Sequence, residues 1–388
     1  MLELVFWLAA ATLTYTWIAY PALLALVGAW LPEPRRALAR RPRLSVVIAA
    51  HNEADVIEAK IESALDQRYP RQRLEVIVVS DGSTDRTDEI VRRHRDPRVR
   101  LVRQEPRAGK SAAINRGVAA ASGEILVFTD ANALFAAEAL PRLAASFADP
   151  RVGLVSGQGL YRRAGADASV VSRGYVRYEA WLRRGESALG VLAGADGAIY
   201  ALRRELFQPL GVQEVNDLLH PLQAALAGAL CRFDPHACTV EPPSGNASQE
   251  FRRHVRIIAQ GIHLTLTWLP RLLAARRAAA VWVLLSHRVL RWLSALGLAA
   301  AFLTSLALSR RSSLYALALD VQGIFYALAL VGALAERWKI PLGRLAIPYY
   351  FCVVCAAGLA GLVRWARGGA QAVWAPGGRV PAAPDRAA

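Results

Sequence analysis

The longest uncharged stretch near the start of the chain runs from Leu4 to Leu31, about 28 residues. As a helix, such a run crosses the ~30 Å hydrocarbon core of a bilayer with some tilt, which constrains the fold more than any other feature. Glu3 stands where a cleaved leader carries basic residues, and the run is too long for one, so a membrane helix over 1–31 is expected. Arg35, Arg36, Arg40, Arg41 and Arg43 follow at once and place the next segment in the cytoplasm. From about residue 279 the chain turns apolar again, with spans expected near 291–308, 313–334 and 347–363, within a helical region 291–364. Ahead of them, Arg288 and Arg291 recur on one helical face, the mark of an interfacial stretch over 268–290. Asp320 is costly inside a span, and Arg288 or Arg291 are its candidate partners.

Composition fits this mixed plan. Apolar residues make up 54% and charged residues 20% of the chain, with mean hydropathy +0.25. That is too apolar for an ordinary soluble protein and too charged for a pure membrane bundle. Disorder is excluded by the same figures. The formal charge of +16 sits largely beside apolar segments, where it orients a membrane protein rather than binding nucleic acid. Four cysteines do not make a disulfide framework, and Cys231, His236 and Cys238 lack the paired spacing of a zinc site. The segment 32–267 is then one large water-facing domain, and the Gly/Pro/Ala-rich tail 365–388 is expected to be loose.

Inside that domain, short apolar runs alternate with helical stretches. Leu44–Ala49, Leu74–Val79, Arg98–Val102 and Ile125–Thr129 read as strands, with helices over 54–67, from Asp85, and over 110–121. This alternation predicts a parallel sheet covered on both faces. Ligands bind beyond the carboxyl ends of such strands. Those ends carry His51-Asn52-Glu53, Asp81-Gly82-Ser83-Thr84-Asp85 and Asp130-Ala131-Asn132, three polar groups aimed at one crevice.

Four blocks in order, 47–53, 78–85, Gly109-Lys110-Ser111 through Gly117, and 128–132, resemble the successive motifs of the family 2 glycosyltransferases. The resemblance covers roughly 44–260, and the membrane layout is similar to the bacterial polysaccharide-synthase branch. It implies an α/β GT-A domain with a mostly parallel sheet, transmembrane α-helices at both ends, and inverting transfer from a nucleotide-diphosphate sugar. It also implies an Mg²⁺ or Mn²⁺ cofactor held by the acidic triplet, here Asp130 and Asn132, the amide supplying an oxygen without charge. Asp81 and Glu53 are the candidate nucleoside contacts, a carboxylate being able to accept the edge donors of a base.

Of 47 basic residues only Lys60, Lys110 and Lys339 are lysines, so Lys110 stands out as a cation for the phosphates. A P-loop is rejected because Gln104 occupies the required glycine position. Val215-Asn216-Asp217 resembles the block ending in the family's catalytic aspartate, which makes Asp217 the candidate general base. Asp196, in a small-residue loop, is the next carboxylate. Gln249-Glu250-Phe251-Arg252-Arg253 resembles a Gln-x-x-Arg-Trp block, with arginine in place of the tryptophan; Gln249, Arg252 and Arg253 are therefore candidate substrate contacts. The expected protein is a multi-pass inner-membrane enzyme with its catalytic domain in the cytoplasm. It would act on a saccharide or lipid-linked acceptor in polysaccharide or cell-envelope glycan synthesis. The alternative is a non-catalytic nucleotide-sugar-binding subunit that regulates a partner.

Overall fold

The computed structural model describes residues 1–30, 41–161, 170–241, 247–338, 340 and 342–368. Arg35, Arg36, Arg40, Lys339 and most of the tail lie outside this set. Eight strands form one sheet: β1 Leu44–Ala50, β2 Leu74–Asp81, β3 Val99–Gln104, β4 Ile125–Asp130, β5 Leu134–Phe135, β6 Val152–Tyr161, β7 Tyr200–Arg203 and β8 Leu230–Glu241. Their spatial order is β3-β2-β1-β4-β7-β6-β8-β5. The first four are parallel, as expected from the continuous apolar runs. Beyond β4 the sheet is mixed: β7 runs antiparallel to both neighbours, β6 and β8 are parallel, and β5 closes the edge antiparallel.

The helices are α1 Leu2–Trp30, α2 Ile57–Leu65, α3 Thr87–Arg93, α4 Lys110–Ala120, α5 Ala139–Ser146 and α6 Val170–Ala188, then α7 Asn216–Ala227, α8 Ala247–Ala274, α9 Ala278–Trp292, α10 Ser294–Leu308, α11 Ser313–Arg337 and α12 Ile347–Ala366. The sheet has two apolar faces, as the strands' lack of alternation requires. One packs Val46, Ile48, Val76 and Val78 against Ile57 and Ile61 of α2 and Leu140 and Leu143 of α5. The other packs Val47, Ile77, Val79 and Phe128 in one cluster with Ala113 and Ile114 of α4 and Leu219 and Leu222 of α7. That cluster continues into Leu264, Trp268 and Leu272 of α8 and Val283 and Leu284 of α9. The expected boundary between 267 and 268 thus falls inside a continuous helix, and the stretch 268–290 helps to close the core of the domain.

Three helical segments, Leu2–Trp30, Ser313–Arg337 and Gly343–Ala366, are long and apolar enough to cross a membrane, and α9 with α10 forms a fourth if that pair, bent by 56°, counts as one span. The pairing expected for Asp320 does not form. Arg291 binds Glu179 at 2.7 Å and Arg288 Nε points at the carbonyl of Ala193, while Asp320 lies exposed on α11. The arginines turn away because α9 packs on the domain, where carboxylates of α6 are nearer.

Glu186 of α6 ties these parts together. Its fully buried carboxylate accepts from Tyr20 of α1 at 2.9 Å and from the backbone N–H of Ala193 at 3.1 Å, and it pairs with Nδ1 of His287 on α9. Breaking one side of a buried charged network costs about 3–5 kcal/mol, since the remaining groups lose their partner without regaining water. Glu186→Ala is expected to lower stability by that amount, read as a fall in thermal unfolding temperature of the detergent-solubilised chain; an unchanged temperature would mean that the network contributes nothing.

Candidate active site

In-register pairing brings the ends of β1, β2 and β4 to one level, with Ala50 opposite Ser80 and Ala49 opposite Asp130. At the end of β1, Asn52 adopts φ 54°, a region asparagine tolerates, and its side chain accepts from the backbone N–H of Thr84 at 2.8 Å. His51 Nδ1 lies 2.8 Å from the carbonyl oxygen of Asp81. Glu53 is buried, and its backbone N–H donates to Thr87 Oγ1 at 2.8 Å. Asp85, two residues before α3, accepts from the backbone N–H of Thr87 at 3.0 Å.

Asp81 is almost fully used by the protein itself. It accepts from Gln104 Nε2 at 2.7 Å and from the backbone N–H groups of Ala108 and Gly109, both at 2.8 Å. A carboxylate has about four acceptor positions, so one remains. Gly82 (φ +63°) approaches Arg107 so closely that a Cβ would lie 3.0 Å from the Arg107 Cβ. The 105–109 segment is thus pinned over the end of β2 and delivers Lys110 to the start of α4.

Lys110 Nζ binds Asp130 Oδ1 at 2.5 Å. Burial alone would push the Asp130 carboxyl up, yet Lys110, Arg253 and Lys60 together hold it below the usual range. Beneath this turn Lys60 is fully buried, donating to Thr129 Oγ1 at 2.7 Å and to the carbonyl of Ala133, with its ammonium 3.5 Å from the Phe135 ring centre. It braces both flanks of Asp130-Ala131-Asn132. The scarcity of lysine was the one signal that could have singled it out.

The other wall of the crevice is the loop 194–198 and the start of α7. Asp217 lies in the first turn of α7. The backbone carbonyl of Asp217 accepts from Ala195 N–H at 2.8 Å, and a Cβ on Gly197 would sit 2.8 Å from Asp217 Oδ2, so only glycine allows this approach. Asp217 Oδ1 is buried with no hydrogen-bond partner. Burial, and then repulsion from Asp130 and Asp196, keep its carboxyl above the normal range against the pull of Lys110 and Arg288. Asp196, by contrast, is locked: it accepts from Arg183 Nη1 at 3.0 Å, Gly159 N–H at 3.1 Å and Ala198 N–H at 3.2 Å.

Arg253, on α8, is near enough to act on both Asp130 and Glu241, while Arg252 is exposed. Gln249 lies in the first turn of α8, and its side chain is outside the described set. Glu241, at the end of β8, escaped notice because no motif marks it. Burial, with Asp130 and Asp196 nearby, pushes its carboxyl up to about 7. The crevice thus gathers Asp130, Asp196, Asp217 and Glu241 against Lys110, Arg183, Arg253 and Arg288.

Among the described residues no three His, Cys, Asp or Glu side chains form a metal cage. Asp130 keeps one oxygen free of Lys110, and Asn132 adds an amide oxygen. That donor set fits a hard cation that takes its other ligands from substrate phosphates and water, as Mg²⁺ commonly does.

A group that is raised in the fold favours the folded state below its unfolded value and loses that contribution as pH climbs through the folded one. For Glu241 the window is from about 4.3, the free value, to about 7. Glu241→Gln is therefore expected to gain stability over the parent as pH rises from 4.5 to 8, by ~3 kcal/mol at most. Thermal unfolding without divalent ions measures this, and a gain independent of pH would place Glu241 in contact with solvent.

Residues 45–210 match the family described as Glycosyl transferase family 2. The probable glycosyltransferase YdaM of Bacillus subtilis is 27% identical over 267 residues, 65% of this chain and 63% of that protein. The beta-monoglucosyldiacylglycerol synthase of Synechocystis is 36% identical over 116 residues, 29% of this chain and 24% of that protein. The chain therefore spans less than two thirds of the length of either relative. A solved structure, the mannosyltransferase PcManGT from Pyrobaculum calidifontis in complex with GDP-Man and Mn²⁺, is 27% identical with a TM-score of 0.68, covering 94% of this chain and 99% of that one. The block order, the sheet and these similarities agree: residues 45–210 match glycosyltransferase family 2, and the domain has the GT-A fold.

Proposed function

We propose that this chain is a membrane-bound, inverting glycosyltransferase that moves a sugar from a nucleotide-diphosphate sugar to a saccharide or lipid-linked acceptor, in polysaccharide or cell-envelope glycan synthesis. One observation carries the reading. A carboxylate with an unpartnered, buried oxygen, Asp217 Oδ1, faces the same crevice as the Lys110–Asp130 pair. The likeness to a mannosyltransferase solved with GDP-Man and Mn²⁺ supports the donor class and the cation. The three long apolar helices, and the arginines after α1, support a multi-pass inner-membrane protein with its domain on the cytoplasmic side.

The chemistry follows from the walls of the crevice. Asp81 holds the 105–109 segment in place and, with Glu53, lies on the nucleoside side. Lys110 and Arg253 face the diphosphate, whose charge grows as the glycosidic bond breaks. Asp130 and Asn132 would hold the divalent cation, which supplies further charge neutralisation at the leaving group. Opposite them, Asp217 takes the proton of the acceptor hydroxyl as its oxygen bonds to the anomeric carbon. Attack from the side away from the diphosphate inverts the configuration. A raised carboxyl suits that task, because a base closer to neutrality binds the proton more strongly. Arg252 and Gln249, at the start of α8, complete the acceptor side.

Asp217→Asn keeps the size of the side chain and removes the base. Loss of a general base costs about 10²–10⁴ in rate. The variant is expected to lose transfer by that factor while binding nucleotide sugar within about twofold of the parent, since its donor contacts are elsewhere. Single-turnover assays beside calorimetric titration with nucleotide sugars read both quantities. Near-parent transfer would reduce Asp217 to a residue of the first helical turn.

A further inference from the structure

The crevice opens where β7 parts from β4. Their antiparallel ladder ends with Phe128 opposite Tyr200, while β4 stays paired with β1 as far as Asp130. One residue past that last rung, Thr129 is buried, and its hydroxyl donates across the gap to the carbonyl of Ala198 at 2.7 Å. The same oxygen accepts from Lys60 Nζ at 2.7 Å. A hydroxyl carries one proton and an ammonium only donates, so both bonds have a fixed direction, Lys60 to Thr129 and Thr129 to Ala198. An ammonium has three N–H groups, and Lys60 has a place for each: Thr129 Oγ1, the carbonyl of Ala133 and the face of the Phe135 ring. With all three in use, the ammonium is held at one point beneath the 130–132 turn, and the Thr129 hydroxyl is held with it.

On the far side of the gap, Ala198 sits inside a segment that meets the candidate base at both ends. Ala195 N–H donates to the carbonyl of Asp217 at 2.8 Å, and Gly197 lies against Asp217 Oδ2. Two residues beyond Ala198, the Tyr200 hydroxyl accepts from Asn216 Nδ2 at 2.6 Å and lies 2.8 Å from Nδ1 of His220. The Tyr200 ring stacks on Phe128 of β4, with centres 5.0 Å apart. Asn216, Tyr200 and His220 are all buried, so water does not replace a bond that is lost there. A shift of 195–200 therefore carries the first turn of α7 with it. One hydroxyl thus joins the strand end that presents Asp130 to the segment that sets Asp217.

We infer that Lys60 and Thr129 are positioning residues whose buried hydrogen-bonded chain sets the span across the crevice between the 130–132 turn and Asp217. In the proposed reaction this span separates the leaving diphosphate from the base, and the acceptor oxygen must meet the anomeric carbon between them. A misplacement of ~1 Å in such an arrangement costs about a hundredfold in rate. The two hydrogen bonds of Lys60 divide the task. The one to Ala133 holds the turn, and the one to Thr129 is passed on to the other wall. Loss of the Thr129 hydroxyl frees that wall and leaves the turn in place. The inference deepens the proposed function and rests on it for the role given to Asp217.

The test compares Thr129→Val, which keeps the shape and loses the hydroxyl, with Thr129→Ser, which keeps the hydroxyl, each in the full chain in detergent. Three quantities are read: amide hydrogen exchange over 194–199, binding of GDP-mannose and UDP-N-acetylglucosamine with Mn²⁺, and single-turnover transfer per folded molecule. In Thr129→Val, exchange over 194–199 is expected to rise by about tenfold. Transfer is expected to fall by about 10–100-fold, with donor and Mn²⁺ affinities within about threefold of the parent. Thr129→Ser is expected to match the parent in all three. Unchanged exchange in Thr129→Val would overturn the joint, and faster exchange with transfer at the parent rate would overturn its hold on Asp217. An equal loss in Thr129→Ser, or a loss of donor affinity that accounts for the whole fall in transfer, would overturn it as well. Should Thr129→Val fail to fold, the double change Lys60→Met with Thr129→Val removes the buried cation together with its acceptor and is read in the same way. If no nucleotide sugar supports transfer by the parent while Thr129→Val loosens 194–199 and Thr129→Ser does not, the proposed function falls and the joint stands.

Discussion

The carboxylate of Glu186 receives hydrogen bonds from Tyr20 on the N-terminal helix and from the backbone of Ala193, and pairs with His287 on a C-terminal helix. Ala193 opens the loop that carries Asp196 and rests on Asp217. One buried acid therefore sets the distance between the apolar helices and the wall of the crevice. Its neighbours extend the constraint: Glu179 pairs with Arg291, and Arg183 joins the same helix to Asp196. Burying so much charge is worthwhile in structural terms only when every member is paired, and the network ends at the residues expected to touch the acceptor. The apolar helices are in this sense part of the wall of the candidate site.

The opposite wall is held by different means. Strand ends of a parallel sheet bring His51, Asp81 and Asp130 to one level without any side chain having to pull them there. Side chains then fix the details. Asp81 spends three acceptor positions on the segment before Lys110, and buried Lys60 braces the turn between Asp130 and Asn132 from below. The result is a crevice with one side fixed by the sheet ends and the other joined to the apolar helices.

Much of the sheet-end side of the crevice was legible in the sequence, because continuous apolar runs with polar ends are local patterns and the four blocks keep their spacing. The start of α4 at Lys110 coincides with the sequence reading, and β4 ends at Asp130, one residue beyond it. The antiparallel second half of the sheet was not legible, since β7 pairs with β4 across about 70 intervening residues and its four residues carry no strong signal of their own. Glu241, Arg183 and Arg288 were missed for the same reason: each becomes part of the site only through contacts distant in sequence. Asp320 shows the reverse error, a charge in an apolar run for which proximity along the chain suggested the wrong partners. Helix α8 crosses the expected domain boundary because its buried stripe serves the domain core and the membrane-side helices at once.

The most direct measurement is a structure of the full chain with a nucleotide-diphosphate sugar and Mn²⁺, using the anomalous signal of manganese. The account predicts a manganese peak in coordination distance of Asp130 and Asn132, the diphosphate beside Lys110, and the anomeric carbon open towards Asp217. A sugar bound with its anomeric carbon facing away from Asp217, or manganese elsewhere in the molecule, would contradict it.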